Sequence, residues 1–196
     1  MRVFVAMDVP EEVLRNIAQL MKELATVVRG ARWVRTEGMH VTLKFIGEAS
    51  AAEMVARVKS SLADIRSASP VEMNFRGAGC FPNERRPRVL WAGIEASGNL
   101  AELAAEIESR FAAVGIPREE RAFRPHLTLA RFNEPQSQPR LAAAMQELAT
   151  REFGATRTAE FHLYQSKLKP GGAEYTRLAT FNFFPPSGPP AQLEGH

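Results

Sequence analysis

The sequence predicts an internally duplicated α+β fold, with two antiparallel sheets facing each other across a central cleft and helices on the outside. Three observations carry this expectation. Segments alternating apolar and polar residues are interspersed with segments whose apolar residues recur at helical spacing. One four-residue pattern, His-apolar-Thr-apolar, occurs twice, at His40-Val41-Thr42-Leu43 and at His126-Leu127-Thr128-Leu129. The two copies stand 86 positions apart (126 minus 40), close to half of the 196 residues, and similar elements follow each other in similar order around them.

The elements read as follows. Val3, Val5 and Met7 alternate with Phe4, Ala6 and Asp8, a strand that opens the chain in place of a signal peptide. Asp8 and Glu11 have the spacing of a capping box. Val13, Ile17, Leu20, Met21, Leu24 and Val27 then mark a helix that Gly30 ends. Arg32 to Val34 is a short strand, and His40 to Ile46 is the first motif strand. Ser50 and Glu53 cap a second helix carried by Met54, Val58, Leu62 and Ile65.

Val71 to Phe81 and Arg88 to Ile94 are strands joined by the basic turn Pro82-Asn83-Glu84-Arg85-Arg86-Pro87. Leu100, Leu103, Ile107, Phe111 and Val114 mark a third helix, and Leu141, Met145 and Leu148 a fourth. Between these helices lies the second motif strand, His126 to Phe132. Thr158 to Leu168, the turn Pro170-Gly171-Gly172 and Glu174 to Phe183 form a closing hairpin. Its last strand starts 86 positions after Arg88, which extends the repeat. Residues 1–184 are read as a single domain of two pseudo-symmetric lobes, and the proline-rich residues 185–196 as a flexible tail.

Composition narrows the function classes. With 45% hydrophobic and 24% charged residues the chain has an ordinary globular make-up, and a net charge of +3 gives mild support to a polyanionic partner. No apolar run approaches the ~20 residues of a membrane span. The lone Cys80 forms no internal disulfide and no cysteine metal site, so it is read as packing, and the default location is the cytoplasm.

The repeated motif carries the chemistry. In a strand, successive side chains point to opposite faces, so each copy places a His and a Thr on one face and two apolar residues on the other. Histidine moves protons near neutral pH, and two facing imidazoles can act as acid and base in one reaction. A pair of Thr hydroxyls can hold the non-bridging oxygens of a phosphate. The four residues therefore suit in-line displacement at phosphorus without a metal. Two His without an adjacent carboxylate or Cys make a poor metal shell, so no metal and no cofactor is expected. No phosphate-cradling glycine loop is present.

The paired motif, with Trp33-Val34 before it, Lys44-Phe45-Ile46-Gly47-Glu48 after its first copy, Phe81-Pro82 through Trp91, and Pro125 to Arg131, resembles the 2H phosphoesterase superfamily, and within it the bacterial RNA 2′,3′-cyclic phosphodiesterase (2′-5′ RNA ligase) family. The resemblance covers about residues 1–184. It implies a hydrolase that opens a terminal 2′,3′-cyclic phosphate on RNA to a 2′-phosphate, in a family some of whose members also join 2′-5′ ends, and that uses no metal. It implies His40 as proton donor, His126 as proton acceptor, and Thr42 and Thr128 as phosphate-holding hydroxyls. The near symmetry of the sequence does not itself rank the two His.

Arg131 and Phe45, each five residues after its His, are candidate substrate contacts. The resemblance puts a basic residue near the phosphate at the Arg131 position, and Phe45 is placed to stack on a base. On a regular strand an odd offset points both at the core, so each reaches the cleft only if its strand bulges first. Core packing is the favoured reading of Phe45, and Arg131 stays open. His162, Tyr164 and Ser166 read as a polar outer face, with Tyr164 or Ser166 bordering the cleft as the alternative, Arg85, Arg86 and Arg88 as a solvated turn or an RNA-steering one, and Trp33 and Trp91 as core. A 2H enzyme acting on another small cyclic phosphate and a non-catalytic RNA-binding module remain the rival readings. The expected state is a monomer whose partners are RNA ends.

Overall fold

A computed structural model describes residues 2–48, 52–134, 137–169 and 172–184. The turn residues Pro170 and Gly171, the cap residue Ser50 and the tail 185–196 lie outside the described residues. The strands are β1 (Arg2–Asp8), β2 (Ala31–Trp33), β3 (His40–Glu48), β4 (Val71–Phe81), β5 (Val89–Ala96), β6 (His126–Phe132), β7 (Glu152–Thr158), β8 (Glu160–Lys169) and β9 (Gly172–Asn182). The helices are α1 (Glu11–Ala25), α2 (Ala52–Leu62), α3 (Gly98–Ala113) and α4 (Pro139–Leu148), with a short 3-10 turn at Thr36–Gly38 before β3.

The strands form two antiparallel sheets, ordered β3-β1-β8-β9 and β2-β6-β5-β4-β7. The α+β fold of two antiparallel sheets is thus as the sequence predicts. Each sheet holds one motif strand. Helices α1 and α4 pack on the second sheet through β7 and β4, while α3, with α2 beside it, packs on β3 of the first. Val13, Ile17, Leu20 and Leu24 of α1 are buried at helical spacing, as are Leu103, Ile107 and Phe111 of α3. These meet the apolar faces of both sheets in one core that includes Val41, Leu43, Leu127 and Leu129.

Three expectations are corrected. The 86-residue offset does not extend to the hairpins: β5 lies beside motif strand β6, whereas β9 lies at the edge of its sheet farthest from β3. Each sheet also mixes strands from both halves of the chain. Strand β7 is absent from the sequence reading because, as an edge strand on β4, it buries only Phe153 fully and shows little alternation. The Asp8–Glu11 capping box does not form. Pro10 stands at the N-cap of α1 with no side-chain cap, and the Asp8 carboxylate instead accepts from Tyr164 and Arg177.

Candidate active site

The two motif strands share one local irregularity. In β3, Asp8, Met7 and Ala6 of β1 stand opposite His40, Val41 and Thr42, but Val5 stands opposite Lys44 and Phe4 opposite Phe45. Leu43 is the extra residue of a bulge. In β6, Gly93, Ala92 and Trp91 of β5 stand opposite His126, Leu127 and Thr128, but Leu90 stands opposite Ala130 and Val89 opposite Arg131. Leu129 is the extra residue. Each motif therefore ends in a bulge directly after its Thr, and a bulge reverses which side the following residues face.

This overturns core packing for Phe45, which is 61% exposed and lies on the face of His40 and Thr42. It also settles the side on which Arg131 lies: exposed, on the face of His126 and Thr128. Lys44, turned the other way, is buried. Its ammonium donates to Glu108 of α3 at 3.0 Å and to the Pro117 carbonyl at 2.8 Å.

Within each motif the predicted alternation holds. His40, Thr42, His126 and Thr128 are half-buried, while Val41, Leu43, Leu127 and Leu129 are buried. Strand β3 is an edge strand, and β2 covers β6 only from Ala130 to Phe132, so the His-Thr segment of each strand has an open flank. β3 and β6, from different sheets, pack against each other.

The two imidazoles are held alike. Nδ1 of His40 lies 3.0 Å from the carbonyl of Gly38, and Nδ1 of His126 lies 2.7 Å from the carbonyl of Arg124, in both cases two residues upstream. A carbonyl oxygen only accepts, so the proton sits on Nδ1 and donates to it. Nε2 is thereby the atom available for proton transfer in both rings.

Their surroundings differ. His40 is ringed by Phe4, Tyr164 and Tyr175, with ring centroids at 5.6, 4.4 and 5.2 Å. A Cβ at Gly38 would meet the Tyr175 ring, so a larger residue there would displace that ring from beside His40. Burial holds the His40 pKa below 6.5, and nearby His162 and Arg177 push the same way, against the Gly38 carbonyl and the Asp8 carboxylate, which raise it. Among the described residues His126 has one aromatic neighbour, Phe81, edge-on at 5.3 Å.

The outer-face reading of His162 and Tyr164 is also corrected. Through their pairing with Ala6 and Phe4 they share the face of His40. Both are buried, because Phe4 and Tyr164 stack on one another at 5.5 Å and roof that part of the sheet. Tyr164 donates to Asp8 at 2.5 Å, and Arg177 donates to Tyr164 at 3.2 Å and to Asp8. Burial first, and then the bond to Asp8, push the Tyr164 hydroxyl up to about 12. His162 places Nδ1 3.0 Å from the Thr180 hydroxyl and Nε2 3.5 Å from Asp8. Sequence reading missed Asp8, Tyr175 and Arg177; the one available signal was a carboxylate closing β1 directly after its apolar run Val3 to Met7.

Trp91, read as core, instead lies half-buried opposite Thr128 and against Phe81 and Gly79. Its indole N–H is buried without a partner among the described residues. Gly79 leaves the space that the ring occupies. Trp33 packs against the core as expected. Cys80 is buried, and burial together with Glu84 pushes its thiol up to about 12. The amides of Arg85 and Arg86 both donate to the Asn83 side chain, which fixes the turn, and both side chains are exposed.

Among the described residues no three His, Cys, Asp or Glu side chains gather in a geometry that would hold a metal, and no helix is long and apolar enough to cross a membrane.

Comparison with known proteins adds identity to this geometry. The family model described as LigT like Phosphoesterase matches residues 7–91 and 94–175. A protein of Archaeoglobus fulgidus called RNA 2′,3′-cyclic phosphodiesterase is 34% identical over 181 residues, which is 92% of this chain and 99% of that one. A protein of the same name from Thermus thermophilus is 36% identical over 188 residues, covering 93% and 90%. Among solved structures, E. coli LigT complexed with 3′-AMP superposes with a TM-score of 0.72 at 26% identity, over 92% of this chain and 97% of that one.

Proposed function

The chain belongs to the LigT-like phosphoesterase family, and from that premise we propose that it hydrolyses the terminal 2′,3′-cyclic phosphate of RNA to a 2′-phosphate by metal-independent acid–base catalysis. His126 Nε2 takes a proton from water as the water oxygen attacks phosphorus. The bond from phosphorus to O3′ breaks, and His40, entering the step as the imidazolium with a proton on each ring nitrogen, gives its Nε2 proton to that leaving oxygen while Nδ1–H stays on the Gly38 carbonyl. The Thr42 and Thr128 hydroxyls donate to the two non-bridging oxygens, whose charge grows in the transition state. A 5′-hydroxyl in place of water turns the same step into 2′-5′ ligation. Phe45 offers an exposed ring to a base, and Arg131 offers a cation to the RNA backbone.

The observation that carries this reading is the matched construction of the two motifs. In-line displacement needs a base on one side of phosphorus and an acid on the other. Two strands from two sheets, each with Nδ1 pinned by a carbonyl two residues upstream, supply two Nε2 atoms free for that work. The same reading has the enzyme act as a monomer in the cytoplasm, on RNA ends, without a cofactor. It is tested by incubating an oligoribonucleotide ending in a 2′,3′-cyclic phosphate with the enzyme in excess chelator, then resolving the product by chromatography. A 2′-phosphate is expected. A 3′-phosphate product, or no turnover until metal is added, overturns the reading.

A further inference from the structure

Arg32 of β2 and Arg131 of β6 stand directly opposite one another in an antiparallel pair. Directly opposed residues of such a pair share a face, and like charges placed so repel. The neighbours of Arg32, Ala31 and Trp33, pack on the core, which turns Arg32 to the other face. The bulge at Leu129 turns Arg131 to that same face, which is also the face of His126 and Thr128. Both guanidinium groups are exposed, and among the described residues neither has a carboxylate within 4.0 Å. Arg110, Arg151 and Arg177, by contrast, are all paired.

A bulge that aims one arginine at another, on the catalytic face and with no counter-ion from the chain, is accounted for by an anion between them. We propose that Arg32 and Arg131 clamp the phosphodiester of the nucleotide next to the terminal cyclic phosphate. The proposal rests on the function proposed above. On β5, the partners of His126, Thr128 and Arg131 are Gly93, Trp91 and Val89, each two residues from the next. His126, Thr128 and the arginine pair therefore form a row with steps of about 7 Å, one strand repeat each. A terminal phosphate held by Thr128 leaves the preceding backbone phosphate to fall along this row. Guanidinium forks suit a phosphodiester, since each can donate two parallel N–H bonds to its oxygens. On the first sheet the position after the bulge is Phe45, and Arg177 is already bound to Asp8, so the backbone runs along the second sheet. The clamp makes the enzyme select an RNA chain over a mononucleotide.

The test compares binding of a fluorescein-labelled octaribonucleotide ending in a 2′-phosphate with that of 2′-AMP, across a salt series, for the wild-type chain, Arg32→Gln and Arg32→Lys. The octamer should bind more tightly than 2′-AMP in the wild type. Arg32→Gln should cut that preference about tenfold, the scale of a lost charge-assisted pair of bonds. The salt dependence of octamer binding should fall by about 0.7 in logarithmic slope. Arg32→Lys should keep the slope while losing part of the affinity. A preference and slope unchanged in Arg32→Gln overturn the clamp, and so does an equal weakening of octamer and 2′-AMP, which would put Arg32 on the terminal phosphate. Turnover of the cyclic phosphate by the wild type is read separately: its absence with an intact, Arg32-dependent preference sinks the proposed reaction and spares the clamp.

Discussion

The ring of Tyr164 lies 4.4 Å, centroid to centroid, from the imidazole of His40, and its hydroxyl donates to Asp8 at 2.5 Å. Asp8 is in turn the residue directly opposite His40 in the strand pair. Packing and hydrogen bonding thus meet at the same residue, and the two contributions can be separated. Tyr164→Phe keeps the ring and should lower kcat only about threefold, the scale of one hydrogen bond. Tyr164→Ala frees the imidazole and should lower kcat about a hundredfold, the scale of a misplaced catalytic group. Steady-state kinetics of both variants decide this.

The charges around His40 act on its pKa in opposite directions. Burial holds it below 6.5, Asp8 pulls it upward, and Arg177 pushes it down. Asp8→Asn should therefore move the His40 titration to lower pH, and Arg177→Gln should move it to higher pH. NMR titration of the His40 ring measures each shift, and the corresponding limb of the pH–rate profile should follow it. Shifts of the same sign in both variants would refute the electrostatic account.

Stability should depend on pH for the same reason. His40 and His162 both have folded-state pKa values below 6.5, the first cause in each being burial. Below about pH 6.5 the unfolded chain takes up protons at these positions that the folded chain refuses. Stability is therefore highest above that pH and falls as the medium is acidified toward the folded values. Urea unfolding at about pH 7.5 and about pH 5.5 should show the loss, and His162→Gln should reduce it.

Removing either imidazole should leave the fold and end the chemistry. His40→Ala and His126→Ala are each expected to lower turnover by about 10²- to 10⁴-fold or more, the range for a positioned acid or base. Far-UV circular dichroism should stay that of the parent, since both side chains are only half-buried. Retained activity in either variant would remove that residue from the mechanism.

Lys44 is the test of the core. Its side chain is 3% exposed and its ammonium sits 2.9 Å from Glu108 Oε1, whose side chain is 19% exposed. Breaking a buried pair leaves a charge without its partner, so Lys44→Met should cost about 3 kcal/mol in urea unfolding. Adding Glu108→Leu should restore part of it, because both charges are then gone.

The candidate site was legible in the sequence through parity and repetition. His40 and Thr42 share a face because they are two apart, and so do His126 and Thr128. No pairing information is needed for that. The parity rule failed just after each Thr, because a bulge is a property of two strands and the partner register cannot be read from one of them. Phe45 and Arg131 were therefore pointed inward by a rule that ends at Leu43 and Leu129. Lys44 was unreadable for the same reason, and Tyr164 because its burial depends on Phe4, one strand away and 160 positions earlier in the chain. Strand β7 was hidden by having a single fully buried side chain, Phe153.

Strand β1 is flanked by β3 on one side and by β8 on the other. Strand β1 thus waits for a strand from the far half of the sequence before its second edge is filled, and long-range pairing of this kind is slow to form. Until Tyr164 and Tyr175 arrive, the imidazole of His40 has no aromatic wall but Phe4. A nascent chain lacking the β8–β9 hairpin would therefore carry both histidines and yet not enclose the first, so under the proposed function competence for the reaction is deferred until that hairpin has formed.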